Sequence, residues 1–162
     1  IDDFLAAIDA FPNLRVLFTM PNSDQGGDVI KQSIEHYCAL RADRCRSFTS
    51  LGMRRYLSAL QHVSAVIGNS SSGLVEVPSV HIPTLNIGDR QKGRPHGLSV
   101  LDCGSDYGAI VAGLNTVLSP AFRHLARTAA NPYEKANTAQ SIFDVIRTYP
   151  LEQLNQKSFY NL

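Results

Sequence analysis

Val63-Ser64-Ala65-Val66-Ile67-Gly68, followed at once by Asn69-Ser70-Ser71-Ser72-Gly73, is the stretch on which the fold class turns. Its first six residues form a short apolar run bounded by polar residues, the pattern of a buried strand. The next five make a polar turn into a short helix that runs to about Val77 and stops at Pro78. A strand that feeds a helix through a tight polar turn is a building block of parallel sheets.

The same alternation extends in both directions. Upstream, Phe4, Leu5, Ile8 and Phe11 recur at helical spacing and predict a helix over 2–11, ended by Pro12, with a buried strand over 14–20 behind it. A helix capped at Ser23 or Asp24 then runs to about Leu40, followed by a short strand over 46–49 and a helix over 53–61. Downstream, 84–87 and 99–103 read as strands, 106–118 and 134–149 as helices, 88–97 as a polar Gly-containing loop and 119–132 as an extended polar loop. Strands separated by helix-length segments predict an α/β, Rossmann-like fold: a mainly parallel sheet with helices on both faces. Residues 1–150 are expected to form one domain and 151–162 a tail.

Composition narrows the function classes. The 162 residues are 44% hydrophobic and 18% charged, as in a globular domain with its own core. A net charge of +1 supplies no basic field, which argues against nucleic acid as a partner. Cys38, Cys45 and Cys103 are odd in number and lack metal-ligand spacing, so they read as reduced thiols of a cytoplasmic protein, with no metal site. No apolar run approaches the roughly 20 residues that span a bilayer. The first residues do not read as a signal peptide, and the start at Ile1 reads as a cut within a longer protein.

In a doubly wound sheet, ligands gather outside the carboxyl ends of the strands. Segments 21–27, 69–76 and 88–97 all follow predicted strands and are expected to line one crevice. The backbone and hydroxyls of Ser70 and Ser71, at the start of a helix, suit a phosphate or diphosphate; the same serines would equally serve as helix caps. Glu76, one helical turn further on, suits the paired hydroxyls of a ribose, or a capping role within the helix. Asp89-Arg90-Gln91-Lys92-Gly93-Arg94 concentrates three cations, of which Arg90 and Arg94 can clamp phosphate oxygens; the alternative is a solvated basic loop.

Gly68-Asn69-Ser70-Ser71-Ser72-Gly73, then Glu76 and Pro78, then Asn86-Ile87-Gly88-Asp89-Arg90-Gln91-Lys92-Gly93-Arg94, resembles the hydrolysing UDP-N-acetylglucosamine 2-epimerases. The likeness extends upstream through Pro21-Asn22-Ser23-Asp24-Gln25-Gly26 and downstream to Asn131-Pro132-Tyr133. It implies the C-terminal half of a glycosyltransferase-B-type fold, with UDP and UDP-N-acetylglucosamine as ligands and no cofactor. It further implies Ser70 and Ser71 on the diphosphate, Glu76 on the ribose and Arg90 on the phosphates. Asn22 would approach the nucleotide, and the backbone at Leu51 would read the uracil edge. Two departures stand out. The Gly-containing turn that often follows Asn-Pro-Tyr in the family is Glu134-Lys135-Ala136-Asn137 here, and the family's N-terminal domain and the opening strand of its C-terminal domain have no counterpart.

The resemblance implies elimination of UDP across C1 and C2 of the sugar, then addition of water to release N-acetylmannosamine for sialic acid or related sugar synthesis. It also implies a homo-oligomeric full-length enzyme. The catalytic acid and base are expected in the missing half. His62, His81 and His124 carry no signal beyond residue type, and His96 differs only in lying in the basic loop. Two other readings remain open: a UDP-sugar-dependent glycosyltransferase domain, and a noncatalytic nucleotide-binding module.

Overall fold

The structure, a computed structural model, describes residues 1–20 and 26–150. Its elements are α1 (Asp2–Asp9), β1 (Val16–Thr19), α2 (Gly27–Leu40), β2 (Cys45–Phe48), α3 (Gly52–Leu60), β3 (Val66–Gly68), α4 (Ser72–Val75), a 3₁₀ turn (Val77–Val80), β4 (Thr84–Ile87), β5 (Val100–Cys103), α5 (Tyr107–Val117), α6 (Pro120–Thr128) and α7 (Thr138–Thr148). Every described strand pairing is parallel, in the α/β pattern predicted. The chain divides into two compact units, Ile1–Pro132 and a second beginning at Tyr133. Within the second, Ile142, Phe143, Val145, Ile146 and Tyr149 lie exposed along one side of α7 and its end.

Two adjacent residues of β4 show how the helices sit. A Cβ on Gly73 of α4 would come within 2.7 Å of Thr84 Cγ2, and one on Gly113 of α5 within 2.5 Å of Leu85 Cδ1. Successive strand residues face opposite sides of a sheet, so α4 and α5 cover opposite faces of β3-β4-β5. Both glycines are required for close approach rather than for backbone freedom. The α4 contact is fastened by Thr84 Oγ1, which donates to the Gly73 carbonyl at 2.8 Å.

One sheet is predicted and two are found: β1 pairs with β2, and β3-β4-β5 form a separate sheet. What joins them is α1. Ile8 belongs to one core, with Phe18, Ile34, Tyr37, Cys38 and Cys45; Ala7 belongs to the other, with Leu85, Ile110, Leu114 and Val117; Phe4 packs against both. The parallel ladder turns alternate residues outward, so Leu17 and Thr19 of β1 and Ile67 of β3 present backbone groups away from their sheets.

Four local expectations need correction. The run 63–68 narrows to Val66–Gly68, and its residues are half-buried, with no strand among the described residues on one edge of β3; β4 is the buried strand. Helix α2 starts at Gly27 behind Gly26, a left-handed residue with φ 85°, rather than at the predicted serine or aspartate cap. Pro78 opens the 3₁₀ turn instead of ending the segment, since its ring is tolerated where an N–H would be unbonded. The predicted loop over 119–132 contains α6: Ser119 Oγ accepts from Phe122 N–H at 3.2 Å and Pro120 follows as the first helical residue.

Candidate functional site

The serine loop leaves β3 at Gly68 and the basic loop leaves the neighbouring β4 at Ile87, so both emerge at the carboxyl end of one sheet. Gln91 ties them together. Its Nε2 donates to the carbonyl of Asn69 at 2.7 Å, and the side chain is only 5% exposed although Arg90 and Lys92 on either side are exposed.

Inside the serine loop, Ser70 Oγ accepts from the Ser72 N–H at 3.3 Å, so Ser70 does part of the capping work foreseen as the alternative role. Ser71 does not. It occupies the N-cap of α4 with no side-chain cap bond, and among the described residues its hydroxyl has no partner. With four residues, α4 has a small dipole, so any anion binding here rests mainly on hydroxyls, local N–H groups and cations.

Tyr56 of α3 reaches the same loop, its Oη 2.5 Å from Ser72 Oγ. Burial first, and then the charge of Glu76, push its phenol above the ordinary value against the hydrogen bond to Ser72. Tyr56, Ser72 and Glu76 therefore share one locality. Glu76 ends α4, is exposed and makes no side-chain cap, which leaves its carboxylate open to a ligand. Leu51, half-buried, is the N-cap of α3, next to Gly52, whose N–H is held by Ser50 Oγ at 3.1 Å.

Arg90 and Arg94 are exposed and form no ion pair among the described residues. Two short turns stiffen their loop: Lys92 N–H donates to the Asp89 carbonyl at 3.0 Å and Arg94 N–H to the Gln91 carbonyl at 3.1 Å. Beyond it, Asn86 Nδ2 donates to Asp102 Oδ1 at 2.7 Å, and Asp102 Oδ2 lies 3.1 Å from His96 Nε2. His96 is thus engaged with a carboxylate at the end of the basic loop.

Asn22 lies outside the described residues. Tyr56 and the side-chain role of Gln91 escape sequence reasoning, because each is defined by a contact with a distant segment. Asn131, in the Asn-Pro-Tyr motif, is a buttress: its Nδ2 donates to the Val75 carbonyl and to Ser79 Oγ, both at 2.8 Å. An open groove of about 450 Å³ lined by Arg54, Arg55, Ser58, Ala59 and His62 shares no residue with the site. Among the described residues no cluster of His, Cys, Asp or Glu suits a metal ion, and no helix is long and apolar enough to cross a membrane. Cys38, Cys45 and Cys103 are free, and burial above all pushes each thiol up.

Residues 1–147 match the sequence pattern that defines the UDP-N-acetylglucosamine 2-epimerases. The chain belongs to that family. Among relatives of this epimerase-family chain, polysialic acid biosynthesis protein P7 of Escherichia coli is 36% identical over 100% of the chain and 41% of its own length. The GDP/UDP-N,N'-diacetylbacillosamine 2-epimerase (hydrolysing) of Campylobacter jejuni is 38% identical over 63% of the chain and 27% of its own length. A crystal structure assigned as a UDP-N-acetylglucosamine 2-epimerase from Listeria monocytogenes superposes with a TM-score of 0.68 at 16% identity, over 98% of this chain and 42% of that one. That likeness bears out the fold class. This family member therefore spans less than half the length of the relatives it matches.

Proposed function

We propose that the chain is the UDP-binding part of a hydrolysing UDP-N-acetylglucosamine 2-epimerase, the C-terminal half of its glycosyltransferase-B-type fold. The observation that carries this reading is the junction of two loops from adjoining strands, at Asn69 and Gln91, in segments that also carry Ser71, Glu76, Arg90 and Arg94, whose side chains have no partner among the described residues. Hydroxyls and guanidinium groups on two sides suit a diphosphate, and a free carboxylate suits a ribose. Ser70 and Ser71 hold the diphosphate with Arg90 and Arg94, Glu76 takes the ribose hydroxyls, and the Leu51 backbone reads the uracil edge.

In the proposed reaction the bond from C1 to the UDP oxygen breaks as a base removes the proton at C2, giving a glycal and UDP. Water then adds across C1 and C2 and releases N-acetylmannosamine. Negative charge grows on the departing diphosphate, where preorganised donors and cations act most strongly. The chain's part is to stabilise that leaving group. The sugar is a 2-acetamido hexose, N-acetylglucosamine or its diacetylated bacillosamine analogue. A cytoplasmic location is part of this reading, since the three free cysteines would stay reduced there.

Titration calorimetry with UDP tests the reading. Binding is expected, weakened by roughly 1.5–3 kcal/mol in Arg90→Ala, the range for hydrogen bonds to charged groups. Unchanged affinity in the variant would remove Arg90 from the site.

A further inference from the structure

Gln91 is the inward-facing residue of an outward-facing loop. Asp89, Arg90, Lys92, Gly93 and Arg94 are exposed, whereas Gln91 is 5% exposed and spends its amide N–H on the Asn69 carbonyl, 22 residues away in sequence. That bond sits one residue from Arg90 on one side and one residue from Ser70 on the other. The turns closed by Lys92 N–H and Arg94 N–H on either side of Gln91 make the loop a short rigid piece, so moving Gln91 moves both arginines. Packing alone does not call for an amide at this position. Methionine has similar length and buries no amide that must find partners.

We infer that Gln91 is a positioning residue: its bond to Asn69 sets the spacing between the Arg90–Arg94 loop and the serine loop, so that both meet one diphosphate. This rests on the UDP-binding reading above. Gln91 itself touches no ligand; it acts through Arg90 and Arg94. A polyphosphate spanning both loops feels the spacing, and a nucleoside without phosphate does not.

The test compares the unmodified chain with Gln91→Met, by calorimetry for UDP and saturation-transfer NMR for uridine, alongside thermal unfolding. Gln91→Met is expected to unfold close to the unmodified chain, to bind UDP about threefold to tenfold more weakly, the worth of one hydrogen bond, and to bind uridine unchanged. In an Arg90→Ala background the same substitution should weaken UDP binding by a smaller factor than in the unmodified chain, because one of the two guanidinium groups it positions is gone. Equal losses for uridine and UDP, or full additivity with Arg90→Ala, would overturn the inference.

UDP binding by the unmodified chain with unchanged affinity in Gln91→Met sinks this inference alone. No UDP binding by the unmodified chain sinks the functional reading and this inference with it. If Gln91→Met does not fold, amide exchange of the unmodified chain decides: UDP should slow exchange in 69–73 and 89–94 together, and protection confined to 69–73 contradicts the positioning role.

Discussion

The phenol oxygen of Tyr56 lies 2.5 Å from Ser72 Oγ, so α3 grips the serine loop by a direct side-chain bond. Gln91 holds the start of that loop at Asn69 from the other side. A loop fixed at both ends can present its free hydroxyl without reorganising when a ligand arrives, which is the physical content of preorganisation.

Tyr56→Phe removes the grip and little else. The raised phenol is protonated at neutral pH, and either hydroxyl can donate in this bond, so the substitution leaves Ser72 Oγ without its Tyr56 partner. Stability should fall by about 1 kcal/mol, the net worth of a hydrogen bond, and UDP affinity severalfold. Chemical denaturation and calorimetry read the two effects; UDP affinity equal to that of the unmodified chain would mean the loop does not need α3.

Glu76→Gln separates the two roles read for that carboxylate. The structure gives it no cap bond to lose, so stability should hold while ribose recognition weakens. UDP should therefore lose more affinity than inorganic pyrophosphate, which has no ribose. Equal losses would assign Glu76 to the phosphates or to the loop.

Asp9 controls acid stability at a point away from the site. Its carboxylate accepts from Tyr37 Oη at 2.7 Å, Arg41 Nε at 2.7 Å and an Arg44 nitrogen at 2.6 Å, tying α1 to α2 and the turn after it. Burial acts to raise its pKa, but the hydrogen bonds from Tyr37 and Arg41 and the charges of Arg41 and Arg44 outweigh it and hold Asp9 below its ordinary value. A depressed folded pKa stabilises above the unfolded value of 3.8 and ceases to do so as pH falls through the folded one. Asp9→Asn should lower the melting temperature at pH 6, with the gap closing below about pH 4. Tyr37 moves the other way: burial, then its bond to Asp9, push the phenol up to about 12, so its contribution fades as pH rises from 10. A constant gap between Asp9→Asn and the unmodified chain from pH 6 to pH 3 would refute the account of Asp9.

Local pattern reaches the elements better than their arrangement. Thr84–Ile87 is legible as a strand to the residue, because four half-to-fully buried residues sit between a proline and a glycine. Segment 119–132 is misread because its polar composition hides a Ser119-Pro120 start that is itself a helix signal. That β1 and β3 belong to different sheets bridged by α1 has no local signature, since strand adjacency is set by tertiary packing. Of the site, the serines, Glu76 and the arginines stand out by residue type. Tyr56 and Gln91 do not, because their partners Ser72 and Asn69 lie 16 and 22 residues away.

Binding and turnover should separate in this chain. On the proposed reading Arg90, Arg94, Ser71 and Glu76 hold a uridine diphosphate, but elimination also needs a base held against C2 of the sugar. Two groups beside the basic loop with suitable chemistry, His96 and Asp102, are engaged with each other at 3.1 Å, and Asp102 is further held by Asn86. The crevice is also open: Arg90 is exposed, so its attraction to phosphate is screened by water, where an enclosed site would strengthen it. The 162-residue chain is therefore expected to bind UDP and to leave UDP-N-acetylglucosamine unconverted. Incubation followed by NMR for UDP and N-acetylmannosamine decides the matter. Turnover by the chain alone would mean that a base lies within it, and Asp102→Asn would then be the first substitution to make: loss of turnover with UDP affinity intact would identify Asp102 as that base.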